Sequence, residues 1–255
     1  MHPALKGRLA GKVAVVSGGA RGLGEAVVRL FVLEGANVVA GDVLIRELRG
    51  VEKDVSATFG LGRLKCTRLD VSRRRDWDAI VSVAEATFGG LDILVNNAGI
   101  SGPVGIEAMP MVTWDRIIAV NQTGTLLGMR AAIPAMRRRR GGSIVNVSSI
   151  YSMVAASSSP AYQASKAAVE MLTRAAALEY GPERIRVNSV HPGLMDTKIL
   201  EAVGAEKVAQ RLLRTPLGRV AAPTEIAQGV LFLASEEASF VTGAALVIDG
   251  GYTAC

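Results

Sequence analysis

Tyr162 and Lys166 stand four residues apart in the stretch YQASK, directly after SSSP and before an alanine-rich run. On a helix this spacing sets both side chains on one face, one turn apart, where they reach a single centre. A free phenol has a pKa of about 10 and is a poor base at neutral pH. A neighbouring ammonium favours the phenolate and draws it toward the range useful for taking a proton from an alcohol. Alone, YxxxK describes equally well a half-buried ring beside a solvated amine, so the choice depends on what surrounds it. Ser159 followed by Pro160 reads as an N-cap and first helical residue, which puts Tyr162 in the first turn of its helix or just beyond.

A second chemical stretch is SGGARGLG, Ser17 to Gly24, between an apolar strand-like run and a helical pattern. Gly18, Gly22 and Gly24 let the backbone approach a pyrophosphate while a helix N-terminus faces its negative charge. The spacing is GxxxGxG, looser than the strict dinucleotide pattern, and a tight turn alone would also account for it. Asp42 argues for the dinucleotide, because it ends the second strand 20 residues after Gly22, where a carboxylate accepts hydrogen bonds from ribose hydroxyls and repels a 2′-phosphate. That favours NAD over NADP. Arg21 pulls the other way, since a guanidinium in this loop pairs well with a 2′-phosphate.

The elements that must position these groups follow from composition and pattern. The 255 residues are 49% hydrophobic but only 4% aromatic, so the core is expected from Val, Ile, Leu and Ala, as in parallel strands buried on both faces. Short runs alternate with helical stretches: Val13 to Val16, Asn37 to Ala40, Leu91 to Val95, Ser143 to Val147, Arg186 to Val190 and Ala245 to Asp249, with Arg63 to Leu69 a weaker strand. Helical patterns run from Gly22 to Glu34 and from Trp77 to Phe88, each followed by glycine. Repeated strand and helix predict one α/β domain over 1–255, a doubly wound parallel sheet.

Several function classes are disfavoured. Two cysteines, Cys66 and Cys255, and two histidines, His2 and His191, leave little material for disulfides, a metal centre or a Ser-His-Asp triad, and no metal is expected. The net charge of +6 is dispersed apart from Arg137 to Arg140, which has no interleaved aromatics and reads as a solvated helix end, so no nucleic acid is expected. No apolar segment suits a signal peptide or a bilayer span, so the expectation is a cytoplasmic protein without a membrane partner.

With SGGARGLG, NNAG (Asn96 to Gly99), Asn121, the serine pair Ser148 and Ser149, YQASK and HPG (His191 to Gly193) in this order, the chain resembles the short-chain dehydrogenase/reductase family over nearly its whole length. The resemblance implies a seven-stranded Rossmann sheet and a homotetramer. It implies Tyr162 as general acid/base, Lys166 as its partner and a holder of the nicotinamide ribose, Ser149 as ligand of the substrate oxygen, and Asn121 in a proton relay. Ser149 rather than Ser148 lies thirteen residues before Tyr162, as the family pattern requires. Cofactor contacts carried over in the same way are Leu23, Val43, Asp70, Val71, Asn97, Ala98, Gly99, Val190, Pro192, Gly193 and Thr197.

For the substrate, residues after Ser149 (Ile150, Tyr151, Met153, Val154) and after HPG (Leu194, Met195, Ile199, Leu200) are mostly apolar and suit a hydrophobic secondary alcohol or ketone. A lid is expected at about 194–215. Within the family the chain resembles NAD-dependent 3α/20β-type hydroxysteroid dehydrogenases. An NADPH-dependent 3-oxoacyl-carrier-protein reductase and a non-catalytic NAD-binding regulator are the rival expectations. Asp42 speaks against the first and the intact set of Asn121, Ser149, Tyr162 and Lys166 against the second.

Overall fold

The computed structural model describes residues 7–60, 62–102, 104–201 and 204–254. Seven strands alternate with helices along the chain. They are β1 (Val13–Ser17), α1 (Gly22–Leu33), β2 (Asn37–Asp42), α2 (Ile45–Phe59), β3 (Leu64–Arg68), α3 (Arg74–Phe88) and β4 (Ile93–Asn96). There follow α4 (Met111–Ile117), α5 (Gly124–Arg138), β5 (Gly142–Val147), α6 (Pro160–Tyr180) and β6 (Ile185–Pro192). The chain closes with α7 (Lys198–Glu201), α8 (Ala205–Leu212), α9 (Pro223–Ala234) and β7 (Ala245–Ile248).

All seven strands are parallel, in the order β3-β2-β1-β4-β5-β6-β7. The period-2 geometry of each strand sorts its apolar residues onto two faces. Ala14, Val16, Val38, Ala40, Ile93, Val95, Val145 and Val147 pack under α1, α2 and α9, with Phe31, Leu48 and Leu231 among the helical contributors. Val13, Val15, Val39, Leu94 and Ile144 pack under α3, α5 and α6, with Trp77, Ile80 and Met136. The continuous β-branched runs seen in the sequence are therefore strands covered on both sides, as expected.

The strand order reverses between β1 and β4, and the loops leaving their C-terminal ends splay apart. This is where such sheets form a binding crevice. The basic run at the end of α5 is exposed, as expected of a solvated helix end. Arg137 pairs with Glu183, Arg138 with Glu85 and Arg139 with Asp92, so three of its four cations lie against carboxylates of neighbouring elements instead of facing solvent alone. Among the described residues no helix is long and apolar enough to cross a membrane, and no cluster of His, Cys, Asp or Glu could hold a metal ion.

Candidate active site

The cleft at the strand ends has a volume of about 600 Å³. Its first wall grows out of β1. Gly18 and Gly22 adopt positive φ (69° and 57°), which glycine tolerates without the Cβ penalty, and the turn bends back over the sheet. The N–H groups of Gly18 and Gly19 donate to the Gly41 carbonyl at 2.8 and 3.2 Å. The Asn97 side-chain amide donates to the carbonyls of Ser17 (3.0 Å) and Gly18 (3.1 Å), while the Ser17 hydroxyl accepts from the N–H groups of Asn97 and Ala98. The Asp42 carboxylate accepts from the Ala20 N–H (3.0 Å) with one oxygen and from the Leu44 N–H (2.9 Å) with the other. Loops after three strands are thus tied into one rigid rim.

Gly18, Arg21, Gly22, Leu23, Asp42, Val43, Asp70, Val71, Asn97, Ala98, Gly99, Pro192, Gly193 and Thr197 all line the cleft. Gly24 does not. A Cβ there would lie 1.9 Å from the Gly18 carbonyl oxygen, so its absence lets the first turn of α1 pack against the turn, and no ligand is needed to explain it. Val190 is likewise in the core. At Asp70 a hydrogen bond from the Ser72 hydroxyl at 2.6 Å holds the carboxyl below its ordinary range.

Two features of this wall fit a dinucleotide. No side chain caps the N-terminus of α1, so its first amides are open to an anion. A Cβ on Gly99 would stand 3.4 Å from Asn121 Oδ1 and 3.5 Å from Lys166 Nζ, so glycine keeps the approach to that ammonium clear.

The second wall is built by β5 and α6. Ser148 and Ser149 leave the end of β5. The Ser148 hydroxyl donates to the Lys166 carbonyl at 2.8 Å and so ties strand to helix. Ser149 and Tyr162 both line the cleft, and the Ser149 hydroxyl accepts from the Tyr151 N–H at 3.2 Å. Lys166 Nζ donates to the Val147 carbonyl at 2.7 Å and stands 5.6 Å from the centre of the Tyr162 ring. The i, i+4 spacing therefore brings phenol and ammonium together.

In the chain alone, burial sets the protonation balance. Burial raises the Tyr162 phenol above its ordinary value, against a smaller downward pull from Ser149, and Lys166 is not among the groups that move it. Lys166 itself is lowered to about 8 by burial. In the chain alone, desolvation of a half-enclosed ring outweighs a cation whose nitrogen is turned toward a backbone carbonyl.

Other expectations are redrawn here. Ser159 sits at the N-cap position of α6, but in a left-handed conformation (φ 63°) and without a side-chain cap. Gln163 does the organising instead, accepting from the Ala156 N–H (2.8 Å) and donating to the carbonyls of Ala156 and Ser158. Asn121 occupies a π-helical turn, Ile118–Thr123, between α4 and α5. Its side chain accepts from the Ile100 N–H, and donates to the Ile100 carbonyl and the Ser165 hydroxyl, so it pins the loop after β4 and does not line the cleft.

On the Tyr151 side the lining continues through Leu194, Met195, Asp196, Thr197, Lys198 and Leu200 to Arg211 on α8. Ile150 is in the core, Met153 and Val154 do not line the cleft, and the side chain of Ile199 lies outside the described residues. Sequence reasoning did not single out Gln163, Arg211 or the role of His191. The imidazole of His191 is fully buried, with Nδ1 3.1 Å from the Ser149 carbonyl and 2.9 Å from the Ser152 hydroxyl, and Nε2 2.7 Å from the Ser189 hydroxyl. Burial lowers its pKa, so it braces the Ser149 backbone as a neutral ring. Only the HPG motif hinted at it.

Known proteins match this arrangement along most of the chain. A family model described as enoyl-(acyl carrier protein) reductase covers residues 18–253. The 3-alpha-(or 20-beta)-hydroxysteroid dehydrogenase of Mycobacterium tuberculosis is 44% identical over 250 residues, 98% of this chain and 92% of the relative. A trans-4-hydroxycyclohexanecarboxylate dehydrogenase of Sinomonas cyclohexanicum is 45% identical over 251 residues, 97% of this chain and 95% of the relative. A cyclopentanol dehydrogenase of Comamonas testosteroni is 44% identical over 250 residues, 97% of this chain and 99% of the relative.

Proposed function

The chain belongs to the short-chain dehydrogenase/reductase family, and from that premise we propose that it oxidises hydrophobic secondary alcohols with NAD. It is an oxidoreductase acting on CH–OH groups, and its family works with a nicotinamide cofactor, which supplies or accepts the hydride when bound. The observation that carries the substrate reading is the juxtaposition of the Ser149 and Tyr162 hydroxyls with the apolar Leu194, Met195 and Leu200 in one cleft. The names of the relatives, a hydroxysteroid and two alicyclic alcohol dehydrogenases, support the same class.

In this reading Ser149 and Tyr162 hold the alcohol oxygen between two hydroxyls, fixing the carbinol C–H toward the Gly99 and Pro192 side of the cleft. Tyr162, as the phenolate that Lys166 and a bound oxidised nicotinamide would together favour against burial, takes the hydroxyl proton as the carbonyl forms, and returns it in the reverse direction. Lys166, charged below about pH 8, lies beneath the phenol and offers its remaining protons to ribose hydroxyls. Asn121 serves through the loop it pins rather than by touching substrate.

The Asp42 carboxylate supports NAD. It is fixed at the end of β2 by two backbone donors, and no ion pair links it to Arg21 among the described residues, so a 2′-phosphate would meet an uncompensated negative charge. The segment 194–215 is read as a lid. Exposed Met171 and Leu178 on α6, with Phe240, support a homo-oligomer, here a tetramer; a monomer by sedimentation at working concentration would remove that part.

The experiment is a panel of cyclopentanol, a hydroxysteroid and acetoacetyl thioester, each with NAD(H) and NADP(H), followed by nicotinamide absorbance. Alcohol oxidation with NAD is expected. Thioester reduction with NADPH alone would move the protein to the carrier-protein reductases.

A further inference from the structure

The substrate end of the cleft contains a cation that the reaction above does not use. Arg211, on α8, lines the cleft with its guanidinium carbon 5.4 Å from the centre of the Tyr151 ring. Nearly one turn later Arg214 lies 4.9 Å over the ring of Tyr252. Two guanidinium groups thus each cover a phenol ring. Several other arginines are paired with acids, among them Arg29 with Glu25, Arg174 with Glu170 and Arg219 with Glu225. Among the described residues, neither Arg211 nor Arg214 lies within ion-pair distance of a carboxylate.

Stacking on a ring satisfies the face of a guanidinium but leaves its in-plane N–H donors open, and these match the two oxygens of a carboxylate. Tyr151, which carries this guanidinium on its face, lines the same cleft as Tyr162. Apolar Leu194, Met195 and Leu200 line the same cleft, together with the charged Asp196 and Lys198. The carboxylates lining the opposite end, Asp42 and Asp70, are engaged by their own loops.

We propose that the cleft takes an alicyclic secondary alcohol bearing a carboxylate across the ring from its hydroxyl, with Arg211 as the group that receives the carboxylate. The proposal rests on the alcohol-dehydrogenase reading above. The hydroxyl meets Ser149 and Tyr162, the ring meets the apolar wall, and Tyr151 presents the guanidinium edge-on to the anion. Arg211 then determines specificity without taking part in the chemical step.

The test compares 4-hydroxycyclohexanecarboxylate with its methyl ester, a neutral partner of the same ring, in the wild type, Arg211→Gln and Arg211→Lys. The expected wild-type kcat/KM for the acid exceeds that for the ester by about tenfold or more, the scale of a charge-assisted pair. In Arg211→Gln the ratio falls to about one, and Arg211→Lys keeps part of it. Calorimetry with cyclohexanecarboxylate, which carries no hydroxyl to oxidise, is run with NADH present and is expected to show weaker binding by a similar factor in Arg211→Gln. Equal use of acid and ester by the wild type, or equal calorimetric affinity in both proteins, would overturn the proposal. Absence of turnover on both ring alcohols with either nicotinamide would count against the dehydrogenase reading instead, while the calorimetry still decides the anion site.

Discussion

The two ends of the cleft are made of different material. At the nucleotide end the wall consists of short loops leaving β1, β2, β3 and β4, each anchored by a strand and bound to its neighbours through Ser17, Asn97 and Asp42. At the other end, among the described residues, it is formed by the segment that follows Gly193, including α7 and the largely exposed α8. Cross-linked loops tolerate little change, since each glycine or amide there has a geometric task. Among the described residues the later segment shows fewer such ties, as suits loops that meet a ligand's shape and charge. In the proposed reading the first end serves the nucleotide and the second selects what is oxidised.

The contrast can be tested by perturbation, beginning with the residue shared by both ends. Tyr162→Phe is expected to lower kcat by about 10²–10⁴-fold, the range for loss of a general acid/base, while NADH binding measured by fluorescence stays intact. Wild-type-like turnover would show that the proton passes elsewhere.

Next in size is a pair of glycine substitutions. Gly24→Ala forces a methyl into the Gly18 carbonyl and is expected to cost about 1–3 kcal/mol in denaturant unfolding and to weaken NADH binding. Gly204→Ala, at the start of α8, meets no neighbour within 4 Å and carries only the strain of its φ of 89°, about 1 kcal/mol. Equal costs would mean that the two ends are equally rigid.

Asp42→Asn is expected to raise the ratio of kcat/KM with NADP to that with NAD by at least about tenfold, or about 1.4 kcal/mol, by removing the charge facing the 2′ position. An unchanged ratio would leave Arg21 as the determinant.

The smallest effect is on the pH dependence of stability. Lys166 gives up its proton near pH 8 in the folded chain and near its ordinary 10.5 when unfolded. Between about pH 8 and 10 the unfolded chain binds more protons, so stability rises with pH across that window. Above it the raised tyrosines Tyr151 and Tyr162 act oppositely. His191, lowered by burial, makes stability fall as pH drops below 6.5. Denaturant titrations of Lys166→Met and His191→Gln should each lose the corresponding slope, and an undiminished slope would assign it to other groups.

Much of the nucleotide end was legible because its signals are local. Gly18, Gly22 and Asp42 declare themselves by spacing and by position at strand ends, and all three line the cleft. Gly24 has the same spacing signal but another task, because sequence distance does not distinguish a glycine that faces a ligand from one that faces a carbonyl. The cap expected from Ser159 failed for a related reason. Its side chain was a sufficient acceptor, yet Gln163 closed the turn first by bonding to the carbonyls of Ala156 and Ser158.

From the sequence by itself came the doubly wound sheet, the pairing of Tyr162 with Lys166 and the glycine-rich turn. These depend on periods of two and about four residues and on backbone freedom, which are properties of nearby residues. The partners of Asn121, the imidazole of His191 beneath Ser149 and the guanidinium of Arg211 on Tyr151 required the folded molecule. In each case the two groups are between 21 and 60 positions apart, and no short-range pattern constrains such a meeting. The Tyr162 phenol illustrates the division: its residue type and its lysine neighbour were written in five letters, while its ionisation was decided by how deeply the fold enclosed it.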